Sequence, residues 1–293
     1  MRIGKGSCHG TFGELVQGII DEKHFLITFP IPNLKSEAVF IPNPRASEMT
    51  VGDPKVKALK AGKLLMQQFD LPLGGSLEIR SNIPSGKGMA SSSADIVAAI
   101  RAIADSYSLH ITKEIISAIA VQIEPTDGVM YDEVVAYDYI HGELIEGFGT
   151  RPPFHLVGID FGGAIDTIQF NQLEKKYKQQ DHAIFIQAYE LIREGFKRRD
   201  FSLISKATTL SARVNQKILP KPFFTEFEKL AQDYQGGIVV AHSGTVMGIL
   251  LDGNLPNQNE VILQISRRIS TIVKKTKIGV FKFVSGGRSV YAK

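Results

Sequence analysis

A loop rich in glycine and serine, set between a strand pattern and a helix pattern, constrains this chain most. Residues 76–82 alternate around Leu77 and Ile79 as a half-buried strand does. The loop follows at once as Pro-Ser-Gly-Lys-Gly-Met-Ala-Ser-Ser-Ser over residues 84–93, and apolar residues then recur at helical spacing as far as Tyr107. This order places the free amides and the positive end of a helix beside the loop, where they favour a phosphate group.

The loop has the composition of a phosphate-binding element, but it matches neither of two common ones. Gly86 and Gly88 would let the backbone approach an anion closely, because neither residue carries a Cβ atom. No Gly-Lys pair is followed by Ser or Thr, which excludes a Walker A loop. Ser91 stands where a dinucleotide-binding loop needs its third glycine. A turn before a serine-capped helix remains the alternative interpretation.

The composition favours a globular enzyme in a reducing cytoplasm. The chain has 293 residues and is 43% hydrophobic, which is enough for one large domain or two modest ones. Its net charge of +4 is small and dispersed, and this argues against a nucleic-acid partner. Cys8 is the only cysteine, so an intrachain disulfide and a cysteine-rich metal site are excluded. No apolar run has the length of a signal-peptide core or a transmembrane helix, so we expect no membrane association.

Periodicity and turn-forming residues predict the other elements. A helix is predicted to begin at Asp53 and Pro54, to have its last apolar residue at Phe69, and to be closed by Leu71 and Pro72. Further predicted helices cover residues 115–123, 181–199 and 201–218, and predicted strands cover residues 155–161, 237–241 and 278–284. Turn formers concentrate in residues 147–153, and we place a domain boundary there, near Thr150.

Three segments together resemble the GHMP kinases, which phosphorylate galactose, homoserine, mevalonate and related small molecules. Residues 84–94 are similar to the nucleotide loop of that family. Residues 10–15, Gly-Thr-Phe-Gly-Glu-Leu, resemble its first motif, and residues 241–248, Ala-His-Ser-Gly-Thr-Val-Met-Gly, resemble its third. Within the family, four phrases resemble the L-threonine kinases of cobalamin biosynthesis, and they lie at residues 13–18, 87–92, 124–130 and 241–244.

The resemblance implies an α+β molecule with the two-domain GHMP kinase fold. A ribosomal-protein-like N-terminal domain with the ATP loop would cover residues 1–150, and a ferredoxin-like C-terminal domain would cover residues 151–293. It also implies an enzyme that uses ATP and Mg²⁺ to phosphorylate the side-chain hydroxyl of free L-threonine. The product, O-phospho-L-threonine, would supply the aminopropanol linker of cobalamin.

Other functions remain as alternatives. A related kinase could act on serine, homoserine or ethanolamine, because one methyl group is worth only roughly 1–3 kcal/mol in specificity. A noncatalytic nucleotide sensor is a second alternative, although retention of Ser92 and Glu124 argues against lost catalysis. An RNA-binding module is a third, but the chain lacks a basic stripe with interleaved aromatic residues. The oligomeric state is left open.

The resemblance further implies roles for individual residues. ATP would be bound by the loop and the third motif, through Pro84, Ser85, Gly86, Lys87, Gly88, Met89, Ala90, Ser91, Ser92, Ser93, Ser243, Gly244 and Thr245. Ser92 and Glu124 would be the Mg²⁺ ligands, and together with Asp127 they form the implied catalytic set. Substrate would contact Glu14, Asp127 and Arg288.

Several of these residues also have a simpler interpretation. Glu124 follows a predicted helix that Pro125 ends, so it could be a solvated helix-end carboxylate. Asp127 could equally belong to an ordinary Pro-Thr-Asp-Gly turn, act as a base, or bind the substrate ammonium. Glu14 could be a structural hydrogen-bond acceptor, and Arg288 an ordinary arginine in a surface loop.

Two more positions bear on the mechanism. Lys87 would point either at a phosphate or into water. Cys8 stands where some GHMP kinases carry a lysine before the first motif, so an Asp/Lys base pair cannot be transferred to this chain. Catalysis would then rest mainly on Mg²⁺ and on positioning.

Overall fold

The computed structural model describes residues 1–52, 55–165, 170, 175–273 and 279–283. In these ranges the strands are β1 (Gly4–Gly10), β2 (Val16–Ile20), β3 (Lys23–Thr28), β4 (Ile31–Pro42), β5 (Met49–Val51), β6 (Gly75–Ser81), β7 (Val134–Asp138), β8 (Glu143–Gly149), β9 (Phe154–Asp160), β10 (Gly237–Val240), β11 (Val246–Asp252) and β12 (Gly279–Phe283). The helices are α1 (Val56–Gln68), α2 (Ser91–Ser106), α3 (Lys113–Val121), α4 (Gln179–Arg198), α5 (Phe201–Ile218), α6 (Phe224–Asp233) and α7 (Gln258–Ile272). The helices and strands are mixed along the chain, as the α+β prediction requires.

The strands form three sheets of four strands each within the described residues. The first half of the chain supplies two of them, with strand orders β1-β4-β6-β5 and β2-β3-β7-β8. The third has the order β10-β11-β9-β12, with α4, α5 and α6 between β9 and β10 and with α7 between β11 and β12. This connectivity is that of a ferredoxin-like βαββαβ unit, as predicted for the second half.

Helix α2 is the central helix of the first half, and most of its surface is buried. Ala and Ile supply half of its 16 residues, and it packs on β1 and β4 on one side and on α1 on the other. A Cβ atom at Gly6 of β1 would lie 2.2 Å from the Ala98 carbonyl oxygen, so glycine permits this close approach. Each buried Ile contributes about 1.5–3 kcal/mol through removal from water. The packing therefore fixes the N-terminus of α2, where the predicted site lies.

The apolar core is continuous between the first half of the chain and helices α4 and α5. Phe25 of β3 makes an edge contact with Tyr189 of α4, with ring centroids 5.1 Å apart. A second core lies under the third sheet, where α6 and α7 bury their apolar faces. The domain boundary near Thr150 stays a prediction. Across the ranges given above, none of the helices combines the length and the hydropathy needed to span a membrane.

The predicted elements agree with the observed ones to within a few residues. The predicted helices at 115–123, 181–199 and 201–218 are α3, α4 and α5, and the predicted strands at 155–161 and 237–241 are β9 and β10. Asp53 and Pro54, the predicted start of α1, lie outside the described residues. So do Ile278 and Val284 at the ends of the last predicted strand.

Candidate active site

The glycine loop connects β6 to α2, as predicted, and its backbone turns through left-handed conformations. The φ angles are +70° at Gly86, +77° at Gly88 and +58° at Ala90, the residue before the first turn of α2. A Cβ atom at Gly88 would lie 2.2 Å from the Cβ of Ala241 and 3.0 Å from the Cα of Gly244. Glycine is therefore required at position 88 both for its φ angle and for space.

The loop lies between the two other predicted motifs and is bonded to both of them. The joining backbone hydrogen bonds run from Thr11 N to Met89 O at 3.1 Å, from Gly13 N to Gly88 O at 3.1 Å, and from Thr245 N to Lys87 O at 3.0 Å. All three motifs thus meet at the N-terminus of α2, although they are far apart in the sequence.

A cavity of about 470 Å³ opens at this junction. Nine of the predicted ATP-binding residues line it, namely Ser85, Gly86, Gly88, Met89, Ala90, Ser91, Ser92, Ser93 and Ser243. The predicted metal and substrate residues that also line it are Glu14, Glu124 and Asp127. Pro84, Lys87, Gly244 and Thr245 are not among its lining residues. Arg288 lies outside the described residues.

The two implied Mg²⁺ ligands are in contact. The Ser92 hydroxyl donates to Oε1 of Glu124, and the Lys57 ammonium lies 2.5 Å from Oε2. Glu124 lies just beyond α3 and is only 5% exposed, so it is not a solvated helix-end carboxylate. The Lys57 side chain, which reaches it from α1, is 40% exposed. Sequence reasoning missed Lys57, because nothing local marks a helix lysine that pairs with a residue 67 positions away.

This pair of oxygen donors suits Mg²⁺. Magnesium prefers hard oxygen ligands and is usually held by one or two protein groups, with phosphate and water oxygens completing its shell. Within the described part of the chain, no group of three or more His, Cys, Asp or Glu residues could hold a metal. Phosphate oxygens would therefore have to join Ser92 and Glu124.

Asp127 lies at the cavity wall, immediately before the turn that begins at Gly128. Its backbone amide donates to the Ser93 hydroxyl at 3.3 Å, and its carbonyl accepts from the Val129 amide at 2.8 Å. Burial and the nearby charge of Glu124 raise the pKa of Asp127 to about 6. The observed turn runs from Gly128 to Tyr131, whose amide donates to the Gly128 carbonyl at 3.1 Å, so the alternative that Asp127 belongs to a Pro-Thr-Asp-Gly turn is wrong. The raised pKa of the Asp127 carboxyl group suits a general base.

Glu14 links the first motif to the third. Its Oε2 accepts a hydrogen bond from the His242 amide at 2.5 Å, and its own amide donates to the Val240 carbonyl at 3.1 Å. Burial, reinforced by the charge of Asp127, raises the pKa of Glu14 well above its ordinary value. Glu14 is thus a structural acceptor that also faces the cavity.

Lys87 points neither at the cavity nor into open water. Its Nζ lies 2.8 Å from Oδ2 of Asp160 and 2.5 Å from the Gly163 carbonyl oxygen. Oδ1 of Asp160 also accepts from the Thr245 hydroxyl at 2.5 Å. Burial alone would raise the pKa of Asp160, but the hydrogen bonds from Lys87 and Thr245 outweigh it and lower that pKa. In this conformation Lys87 ties the loop to β9 and to the third motif.

The buried Cys8 thiol offers no substitute for the lysine that some family members carry. Its Sγ donates to the Val129 carbonyl oxygen at 3.2 Å, and burial raises its pKa to about 12. Cys8 is therefore a protonated packing residue.

A buried polar cluster beside Glu14 was not predicted. Nδ1 of His242 lies 2.6 Å from Oε1 of Gln17, and Nε2 lies 2.9 Å from Nζ of Lys175. Lys221 is 5% exposed and close enough to Glu14 for each to affect the other's pKa. These residues come from separate segments. Gln17 and His242 stand within recognised motifs, but Lys175 and Lys221 do not. No local sequence signal could have brought them together.

Comparison with known proteins identifies relatives of this chain. Residues 56–136 match the family model for the GHMP kinases N-terminal domain. An L-threonine kinase of Salmonella typhimurium is 29% identical over 254 residues, which cover 85% of this chain and 83% of the relative. An L-threonine kinase of Citrobacter freundii is 28% identical over 271 residues, which cover 90% of this chain and 92% of the relative.

Solved structures share the fold over the whole chain. A homoserine kinase from Cytophaga hutchinsonii superposes with a TM-score of 0.74 at 16% identity, covering 99% of this chain and 98% of that one. A mevalonate kinase of L. major in complex with R-mevalonate superposes with a TM-score of 0.67 at 16% identity, covering 98% of this chain and 96% of that one. At these identities the likeness concerns the fold alone.

Proposed function

This chain is an ATP-dependent GHMP kinase, and we propose that it transfers the γ-phosphoryl group of ATP to the side-chain hydroxyl of free L-threonine. The predicted family and the predicted α+β fold are confirmed. The observation that carries the proposal is the contact of Ser92 with Glu124 in the same cavity as Asp127. The likeness to two L-threonine kinases supports threonine as the acceptor.

The phosphates of ATP would lie against the glycine loop and the free amides of α2. Positive partial charge at that helix end favours anions, and the glycines leave the backbone accessible. Ser92 and Glu124 would hold Mg²⁺, which supplies charge neutralisation on the phosphate oxygens when bound. Lys57 is ion-paired with Glu124 in this structure. From that position its ammonium group would also help to neutralise the negative charge of the phosphate oxygens.

Asp127 would take the proton of the acceptor hydroxyl. The hydroxyl oxygen forms a bond to the γ-phosphorus, the bond from that phosphorus to the β-γ bridging oxygen breaks, and ADP leaves. The proton passes to the Asp127 carboxylate, whose raised pKa makes it a better base near neutral pH. When ionised, Asp127 also gives this side of the cavity the negative charge that the ammonium group of an amino acid requires, and Glu14 adds carboxyl oxygens that can accept its hydrogen bonds.

A dependence on pH follows from the role of Asp127 as a base. The ionised form is required, so kcat/KM for L-threonine should fall as the pH drops below about 6. Bound Mg²⁺ would move this midpoint lower, because a nearby cation favours the carboxylate. Asp127→Asn should lower kcat by about 10²–10⁴-fold and abolish the acid limb.

Asp132→Asn is the matched control for this measurement, since Asp132 lies in the same loop region but is exposed. It should retain wild-type kcat and the wild-type profile between pH 5 and 8. An acid limb that persists unchanged in Asp127→Asn would show that another group accepts the proton.

The acceptor is tested with a panel of small alcohols. Initial rates with ATP and Mg²⁺ should give the highest kcat/KM for L-threonine among threonine, serine, homoserine and ethanolamine. Serine should be within roughly 10–200-fold of threonine, because it lacks only one methyl group. If homoserine or ethanolamine exceeds threonine by about tenfold, or ~1.4 kcal/mol in the transition state, the threonine assignment is wrong. ATP turnover with none of these acceptors would favour a different substrate class.

The proposal also gives the enzyme a metabolic place. O-phospho-L-threonine made in the cytoplasm would be the precursor of the aminopropanol linker of cobalamin. The likeness to the two L-threonine kinases supports the formation of O-phospho-L-threonine. The cobalamin step rests on the resemblance of residues 13–18, 87–92, 124–130 and 241–244 to the L-threonine kinases of cobalamin biosynthesis.

A further inference from the structure

A free amino acid carries a carboxylate as well as an ammonium group. The cations at the site described so far, Lys57 and Lys87, are already paired with the protein carboxylates of Glu124 and Asp160. Glu14 and Asp127 are negative when ionised, so they can face only the ammonium group. Arg288, the cation suggested by the sequence, lies outside the described residues. Two buried or half-buried lysines near Glu14 are therefore the candidates, Lys175 and Lys221.

Lys221 is committed to the protein backbone. Its Nζ lies 3.3 Å from the carbonyl oxygens of both Leu219 and Ala241, and the side chain is almost fully buried. These two contacts use most of its donors and hold α5's end against the third motif. Lys221 is thus a structural lysine.

Lys175 is placed differently. Its Nζ lies 2.9 Å from Nε2 of His242, 3.4 Å from the hydroxyl of Tyr139, and 4.7 Å from the ring centroid of Phe170. None of the ion pairs found among the described residues involves Lys175. Burial lowers its pKa to about 8, and Glu14 is the charge that opposes this shift. A half-buried ammonium held by neutral groups is open to an anionic partner.

The hydrogen bonds around His242 leave donors free on Lys175. Burial lowers the pKa of His242 well below its ordinary value, so the ring is neutral. Its Nδ1 faces the side-chain Oε1 of Gln17 and must donate, which makes Nε2 the acceptor for one Lys175 proton. A second Lys175 proton is donated to the Tyr139 hydroxyl at 3.4 Å, so one of the three N–H groups remains for a ligand. Unlike Lys221, Lys175 is only half-buried, and a ligand can reach this N–H group.

The surrounding cluster also has unused hydrogen-bonding capacity. Nε2 of Gln17 and Oδ1 of Asn215 are buried and have no partner among the described residues. Buried polar atoms are normally satisfied, so a polar molecule or ordered water is expected beside them. Both His242 and Tyr139, which contact Lys175, line the cavity that Glu14 and Asp127 also face.

We propose that Lys175 binds the α-carboxylate of the amino acid acceptor. His242 and Tyr139 position the ammonium group of Lys175 for this contact. This inference rests on the proposed function, because it requires an amino acid as the acceptor. The cavity would then contact both charged groups of the zwitterionic substrate, with Glu14 and Asp127 facing the ammonium group of the substrate. Lys175 would thereby determine specificity for amino acids over simple amino alcohols.

Lys175→Gln tests the charge while keeping a hydrogen-bond donor for His242. With L-threonine its kcat/KM should fall at least about tenfold, mainly through KM, because a hydrogen bond to a charged group is lost. With (R)-1-aminopropan-2-ol, which is threonine without its carboxylate, kcat/KM should stay within about twofold of the wild type, since no interaction is removed. Lys176→Gln, an exposed neighbour, should leave both values unchanged.

The binding of L-threonine is measured by calorimetry in the presence of Mg²⁺ and a non-hydrolysable ATP analogue. This measurement distinguishes failure of the proposed kinase activity from failure of the proposed carboxylate contact. A wild type that binds threonine more tightly than Lys175→Gln does, yet forms no phosphothreonine, would defeat the proposed function and support the carboxylate site. Equal losses with both acceptors in Lys175→Gln would mean that Lys175 is only structural and would overturn the inference, while the proposed function stands.

Discussion

Glu124→Gln and Ser92→Ala are each expected to lower kcat at least about a hundredfold while leaving the fold intact. Each change removes one oxygen ligand from the proposed Mg²⁺ site and takes almost no volume from the core. A metal that bridges phosphate oxygens supplies several kcal/mol of charge stabilisation in the transition state, and about 1.36 kcal/mol corresponds to a tenfold change in rate. The measurement is kcat at saturating ATP and acceptor, with circular dichroism to verify the fold.

Glu114→Gln is the matched control, because Glu114 stands in the first turn of α3, the helix that leads to Glu124, and is exposed. It should retain wild-type kcat. Raising the Mg²⁺ concentration should partly rescue Glu124→Gln, since a weakened site fills at higher metal concentration. If both Ser92→Ala and Glu124→Gln retain full activity, the metal assignment is wrong.

Gly88→Ala is expected to abolish measurable ATP binding and to lower the thermal stability of the protein. The left-handed conformation costs an alanine roughly 1–2 kcal/mol. The added Cβ would also lie 2.2 Å from the Cβ of Ala241, so the loop or the third motif must shift, and overpacking typically costs about 1–3 kcal/mol more. ATP affinity by calorimetry and Tm by scanning calorimetry are the measurements.

Gly149→Ala separates backbone strain from steric conflict. Gly149 has the same φ angle of +77° as Gly88, but a Cβ atom there would meet nothing within 4 Å. Its Tm should fall by less than that of Gly88→Ala, and its ATP affinity should be that of the wild type. Equal decreases in Tm and wild-type ATP affinity in both variants would contradict the close packing of the loop on the third motif.

The parts of this fold that could be predicted from the sequence have local causes. Helix α5 begins at Phe201 as predicted, because the Asp200 side chain accepts hydrogen bonds from the Ser202 and Leu203 amides. The strand, loop and helix around Gly86 and Gly88 were likewise predictable from periodicity and from the glycines themselves. The contact between Ser92 and Glu124 followed from family resemblance, since no spacing rule relates positions 92 and 124.

The parts that could not be predicted depend on tertiary contacts. Lys57 reaches Glu124 from another helix, and Lys87 turns toward Asp160 because β9 places a carboxylate there. Lys175 contacts His242, which lies 67 positions further along the chain. Neither a lysine nor a histidine indicates from the sequence which residue it will contact. Such contacts form only when the sheets and helices pack together, so local patterns in a single sequence do not predict them.

The most direct test of the proposed function is to identify the product. Purified protein is incubated with ATP, Mg²⁺ and free L-threonine, and the mixture is followed by phosphorus NMR. We predict a phosphomonoester signal that coincides with added authentic O-phospho-L-threonine and grows in step with ADP. This signal should be absent without threonine and should grow at least about a hundredfold more slowly with Glu124→Gln. ADP formation with inorganic phosphate as the only new phosphorus signal, or no threonine-dependent turnover at all, would contradict the assignment as an L-threonine kinase.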